Sequence, residues 1–157
     1  MKISNETRDV LKNFSTINSG IRVKTGNKLE TISNMKNILA IATIEESFPQ
    51  DFAIYNLPEF LGATSLLDDP EFNFNPEKLS VEDTNSKMDY FYASEGMVVA
   101  PEKMITMPSS EVSFTITSTL LTDLQKASSV LGVNDLVLES DGTAVTLTVK
   151  DKKNATS

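Results

Sequence analysis

SNETRDVLKNFSTINSG, residues 4–20, is the stretch from which the fold of this chain can be read. On a wheel of about 100° per residue, Val10, Leu11, Phe14 and Ile17 fall on one side. Asn5, Arg8, Lys12 and Ser15 fall on the other. Ser4 or Asn5 can cap the N-terminus, and Gly20 follows the last apolar residue as a stop signal. The spacing predicts one amphipathic helix. Arg8 and Lys12 are i,i+4 neighbours, so both charges project from one face, with Glu6 and Asp9 toward its flank. A solvated surface face accounts for that composition. A face that meets a phosphate backbone accounts for it too, and both readings stay open at this level.

Working outward, GIRVKTGNKLETIS (20–33) alternates apolar and basic residues on either side of Gly26-Asn27 and predicts two strands joined by a tight turn. ILAIATI (38–44) predicts a buried strand, Glu45 to Pro49 a polar break, and FAIYN (52–56) a short strand. Residues 57–67 read as a second helix with Pro58 in its first turn and Phe60, Leu61 and Leu67 inward. Three extended pieces follow, 71–75, 78–83 and 87–94, separated by turn residues. Residues 95–109 hold two prolines and three methionines without a clean period and read as a linker over apolar surface. Val112, Phe114 and Ile116 then alternate with polar residues as a strand. A helix over 119–131 carries Leu120, Leu121, Leu124, Ala127 and Leu131 on one face, with Gly132 at C′. DLVLES and TAVTLTV form two strands turning at Asp141-Gly142.

The order helix, Gly, strand, tight turn, strand therefore occurs at 5–33 and again at 119–149, with a weaker copy starting at 57. Such a chain is read as repeats first. Each repeat, a β-α-β-β-β unit, places one helix on one face of a mainly antiparallel sheet. The fold class is α+β.

Composition narrows the function. The chain has 157 residues, 14 basic and 22 acidic, for a net charge of −8. Cys 0 and His 0 remove thiol catalysis, Cys-ligated zinc, the Ser-His-Asp triad and the commonest general base. No P-loop or dinucleotide-binding glycine pattern is present, so no cofactor is expected. Adjacent carboxylates (Glu45-Glu46, Asp68-Asp69) point to different sides of a strand or helix and make poor acid/base pairs. The expectation is a protein that is not an enzyme. No run of about 18 apolar residues predicts a membrane span, and no secretory signal opens the sequence, so a cytoplasmic location is expected. A net negative charge argues against coating nucleic acid by simple attraction, yet leaves room for basic residues confined to one surface.

LKNFSTINSGI (11–21), FAIYNLPEFLG (52–62) and MVVAPEK (97–103) stand in order and at the spacing seen in the sliding clamps of T-even-type phages, the processivity factors of their DNA polymerases. The sequence resembles that family. The resemblance implies a DNA clamp fold with two β-α-β-β-β units per domain, two domains per subunit and three subunits in a ring, helices lining the hole. It implies domains at 1–95 and 110–157 with a connector at 96–109. Three of the four expected units are recognisable, so the chain reads as a C-terminally truncated member. The homotrimer is an expectation for the family rather than for this chain.

By position, the resemblance places Lys2, Arg8, Lys12 and Lys126 on the DNA-facing side. It places Val98, Val99, Met104 and Ile105 beside the connector, where partner peptides would dock. Arg22, Lys24, Lys28 and Lys36 read as strand-face or loop charges. Expected partners are double-stranded DNA without sequence preference, the phage DNA polymerase, a clamp loader and transcription factors, in the host cell cytoplasm. The competing expectation is a β-rich viral structural or interaction module without DNA binding.

Overall fold

The computed structural model describes residues 1–103, 109 and 113–154. They fall into two compact units, Met1–Ile105 and Thr106–Ser157.

The first unit opens with α1, Asn5–Ile17. The Ser4 side chain caps it by accepting from the Thr7 N–H. Its buried stripe is Thr7, Leu11 and Phe14, followed by Asn18 just past the helix; Val10 and Ile17, expected inward, are half-buried. The helix does not stop at a left-handed glycine. Asn18 turns extended at φ −145°, ψ 133°. Gly20 serves a different purpose: a Cβ there would come within 3.1 Å of the carbonyl oxygens of Ile54 and Tyr55 and of Val98 Cγ1. The position is glycine because another backbone approaches it closely.

Next come β1 (Ile21–Val23), β2 (Gly26–Ile32), β3 (Leu39–Phe48) and β4 (Phe52–Ile54). The expected turn at Gly26-Asn27 does not form a hairpin. β1 pairs antiparallel with β4, and β2 with β3, so the four strands make one long, bent hairpin. Its tip lies at residues 33–38. Ser33 N donates to Ile38 O at 2.9 Å, and Ser33 Oγ accepts from the N–H groups of Asn37 and Ile38. Lys36 turns there at φ 56°. Gly26, at φ 114°, marks the bend instead, where the register shifts before Lys28. Thr25 fixes the bend by donating its N–H and its hydroxyl to Asp51 Oδ1, both at 2.7 Å.

The expected polar break at 45–49 is also corrected. β3 runs through Glu45, Glu46 and Ser47 to Phe48 because the alternation continues: Ile44 and Phe48 are buried, and Glu46 points the same way. Its carboxylate accepts from the Ser4 N–H and, at 2.5 Å, from the Thr7 hydroxyl. An inward glutamate is thus spent on the open N-terminus of α1.

The chain then repeats itself. α2 (Leu57–Thr64) is shorter than the expected 57–67, capped by Asn56, with Leu57, Phe60 and Thr64 buried. β5 (Glu71–Phe74), β6 (Lys78–Glu82) and β7 (Lys87–Phe91) form an antiparallel meander at the expected places. β4-α2-β5-β6-β7 is one β-α-β-β-β unit. α1 with β1, β2 and β3 is the other, and residue 1 fills the leading-strand place by exchanging two 2.7 Å hydrogen bonds with Phe72. Both halves feed one core, from Leu11, Phe14, Ile21 and Leu29 to Leu57, Phe60, Phe72, Leu79 and Val81.

The second unit holds α3 (Ser118–Leu131) and an antiparallel hairpin of β8 (Asp135–Ser140) and β9 (Val145–Lys150). Thr117 caps α3, and Gly132 ends it at φ 66°, ψ 27°. Asp141 Oδ1 accepts from the N–H groups of Thr143 and Ala144 at 2.8 Å, closing the turn with Gly142 at φ 88°. The strand expected over 112–116 is corrected for Phe114 and Ile116. Residues 113–117 form no strand, since no neighbouring strand among the described residues pairs with them. Val112 lies outside the described residues.

Candidate nucleic-acid interface and the groove at residues 98–103

The solvent side of α1 is set by its buried stripe. With Thr7, Leu11 and Phe14 inward, Asn5 and Lys12 stand exposed and Arg8 half-buried. α2 packs alongside α1, and Asn5, Arg8, Asp9 and Lys12 share a shallow groove with Leu61, Thr64 and Ser65. A second cleft adjoins it, lined by Lys2, Ile3, Ser4, Asn5, Arg8, Glu46 and Asp69. Lys2, Arg8 and Lys12 therefore lie on one side of the first unit, with Arg8 common to both clefts. α2 contributes no basic residue to this surface.

The three cations are held differently. Lys2 Nζ pairs with Asp69, both exposed. Lys12 Nζ is 3.5 Å from Asp9, one turn earlier on the same helix. Arg8 forms no ion pair among the described residues, and its Nε is buried without a hydrogen-bond partner. Exposed pairs are worth only about 0–1 kcal/mol, so neither Lys2 nor Lys12 is held strongly by its acidic partner. In the second unit Lys126 is exposed and lies 3.9 Å from Asp123, again three residues earlier.

On the opposite face of the hairpin a different surface forms. Ile21 and Val23 point into the core, so Arg22 and Lys24 point out. Residues 98–103 run beside them. One groove is lined by Arg22, Lys24, Lys28, Glu30, Ala100, Pro101, Glu102 and Lys103, and an adjoining one adds Lys36, Gly96, Val98 and Val99. Val98 is buried on Gly20, while Val99 is 39% exposed. Met104 and Ile105 lie outside the described residues. The run is tied down by Asn18, which is 5% exposed. Its Nδ2 donates to Ile32 O and Val99 O, both at 2.9 Å, and its Oδ1 accepts from the Gly20 N–H at 3.0 Å.

Sequence reasoning missed Asn18 and the gathering of Arg22, Lys24, Lys28 and Lys36 beside residues 98–103. The only signal was position: Asn18 stands at i+11 from Thr7 on the buried stripe. Among the described residues no group of three or more acidic, Cys or His side chains could hold a metal ion. No helix among them is long and apolar enough to cross a membrane.

Two β-α-β-β-β halves sharing one core, each laying a helix on antiparallel strands, define a clamp-type α+β protein. Residues 4–100 match the DNA polymerase processivity factor family. The chain belongs to that family. It is 36% identical over 162 residues to the sliding clamp of Vibrio phage KVP40, covering 99% of this chain and 73% of that one. It is 38% identical over 128 residues to the sliding clamp of Enterobacteria phage T4, covering 80% and 55%. For the sliding clamp of Escherichia phage RB69 the identity is 32% over 148 residues, covering 92% and 65%. The chain thus spans little more than half of the T4 relative's length and under two thirds of the RB69 one.

Proposed function

We propose that this chain acts as a sliding clamp, a ring component that encloses duplex DNA and tethers a phage DNA polymerase to it inside the infected host cell. The observation that carries the reading is the gathering of Lys2, Arg8 and Lys12 on the α1 side of a unit belonging to a chain of net charge −8. Membership of the processivity factor family supports it. Lys126, exposed on α3, is proposed to face DNA in the same way.

The mechanism needs no catalytic residue, so the chain is proposed as an accessory protein and not an enzyme. Enclosure keeps the ring on the duplex, and phosphate contacts only centre it. Each such contact is screened by salt, with a Debye length of about 8 Å at physiological ionic strength. It reads no base, so the ring slides. Residues 96–109 are proposed as the connector between domains 1–95 and 110–157. Partner peptides of the polymerase, of a clamp loader and of transcription factors would dock beside it. Val99 offers the exposed contact, and Val98 holds the segment in place. The ring takes several copies. The family expectation of a homotrimer rests on four β-α-β-β-β units per chain, one more than is recognisable here.

The test is polymerase run length on primed DNA with a clamp loader. The chain is expected to lengthen runs, and Arg8→Glu with Lys12→Glu to shorten them while the melting temperature stays put. Unchanged run length with a folded double variant would sink the DNA-facing assignment. Global unfolding of the variant would show the face to be structural.

A further inference from the structure

The helices proposed to face DNA carry no net positive charge. The charged residues of α1 are Glu6, Arg8, Asp9 and Lys12, that of α2 is Glu59, and those of α3 are Asp123 and Lys126. A surface built to grip phosphate by attraction alone would leave its cations uncompensated, since affinity for DNA grows with each phosphate that a lysine or arginine neutralises.

Glu6 has a local reason to be there. It stands in the first turn of α1, where open N–H groups favour negative charge. Asp9 and Asp123 stand beyond the first turn, and Ser4 and Thr117 already cap the two helices. Neither aspartate is packed, with side chains 75% and 65% exposed. What each does touch is the lysine three residues on: Asp9 lies 3.5 Å from Lys12 Nζ, and Asp123 lies 3.9 Å from Lys126 Nζ. Lys2 is placed alike, paired with exposed Asp69 in the cleft that both line. Every lysine of the DNA-facing set therefore has an exposed carboxylate at its head. Such pairing is not general for exposed lysines of this chain. Lys36 and Lys103, beside residues 98–103, form no ion pair among the described residues.

Distance decides what these carboxylates do. A phosphate oxygen in contact with Lys12 Nζ or Lys126 Nζ lies within about 7 Å of the neighbouring aspartate. The screening length at physiological ionic strength is about 8 Å. The phosphate is thus attracted by the lysine and repelled by the aspartate at once. We propose that Asp9, Asp69 and Asp123 hold the grip of Lys12, Lys2 and Lys126 on phosphate below what the lysines alone would exert. The balance of the two charges, and not the number of cations, then sets how weakly the chain holds the duplex along which it moves. This deepens the DNA-facing reading given above and rests on it.

The test is the affinity of the 157-residue chain for a fluorescent duplex, read by anisotropy over a salt series. Both helical aspartates are exposed and cap nothing, so replacing them with asparagine keeps the fold. Asp9→Asn and Asp123→Asn should each raise affinity about two- to fivefold at about 0.05 M salt. The gain should shrink as salt approaches about 0.3 M and the screening length falls to roughly 5 Å. In a Lys12→Gln background Asp9→Asn should gain less, because the contact that it strengthens is gone. Glu45→Gln changes the net charge equally on the exposed face of β3, and should leave affinity nearly unchanged. Affinity indifferent to Asp9→Asn and Asp123→Asn overturns the proposal. An equal gain from Glu45→Gln, which would trace the effect to net charge, overturns it too, as does an equal gain from Asp9→Asn with and without Lys12. The two readings fail separately. If Lys12→Gln weakens binding and Asp9→Asn does nothing, the DNA-facing reading stands and this proposal falls. If Lys12→Gln is itself without effect, both fall.

Discussion

Asn18→Ala is expected to be the most damaging substitution of a polar residue in the first unit. Asn18 is nearly inaccessible to water and makes three hydrogen bonds to backbone groups far apart in sequence: Gly20 N–H, Ile32 O and Val99 O. Alanine removes all three and leaves their partners behind. An orphaned buried donor or acceptor costs about 1–3 kcal/mol. The three are not equal. Gly20 N–H is buried and has no second partner to turn to, so it sits at the upper end. Carbonyls tolerate loss of one partner better than N–H groups do, and Val99 is partly exposed. A net loss of about 2–4 kcal/mol follows. For a unit of this size each kcal/mol lowers Tm by roughly 4–8 °C, so the melt should fall by roughly 8–32 °C. Circular dichroism melts check the magnitude, and hydrogen exchange over residues 98–103 checks the cause. Residues 98–103 should exchange faster under conditions where β2 and β3 are still protected. A loss below about 0.5 kcal/mol, the level of an ordinary surface change, with unaltered exchange at 98–103 would refute the tethering role of Asn18.

Two further substitutions test the caps. Glu46 feels burial, which raises its pKa, but the Ser4 N–H and the Thr7 hydroxyl outweigh it and hold the carboxyl below its ordinary 4.5. A depressed acid contributes stability above its unfolded pKa and loses it as pH falls through the folded value. Glu46→Gln should therefore lower Tm at pH 7 and narrow the gap to wild type as pH drops below about 4.5, read from melts between pH 3 and 7. Gly132→Ala places a Cβ at a left-handed φ of 66° and should destabilise α3 by about 1 kcal/mol, seen as lost helical signal on mild heating.

Where each element starts and which way it faces were largely legible in the residues. The 3.6-residue spacing of Leu11 and Phe14, Pro58 in the first turn of its helix, Gly132 after Leu131 and the Asp141-Gly142 turn all carry local physical meaning, and all sit where expected. Pairing was not legible. Alternation in IRVK and KLET says which side chains point inward but not which strand lies alongside, so β1 looked like the partner of β2 when it is the partner of β4. Glu46 looked like a break because its reason for pointing inward, the N-terminus of α1, is 42 residues away in sequence. Asn18 looked like a loop residue for the same reason, since Val99 is 81 residues away. The candidate site divides similarly. Local spacing was enough to place Arg8 and Lys12 on one face, and Lys2 joins them only through the fold. The cations at 22, 24, 28 and 36 come together beside residues 98–103 only because the hairpin bends at Thr25.

Duplex DNA is proposed to lie against the α1 side and not against the outer face of the hairpin. The chain has no cysteine, so one cysteine can carry a tethered iron chelate that cuts DNA nearby. Lys12→Cys puts it on the exposed side of α1. Thr43→Cys puts it on the exposed face of β3, paired with Lys28. On loaded complexes backbone cleavage is expected from position 12, spread evenly along the duplex, and none from position 43. Cleavage from position 43 with none from position 12 would contradict it.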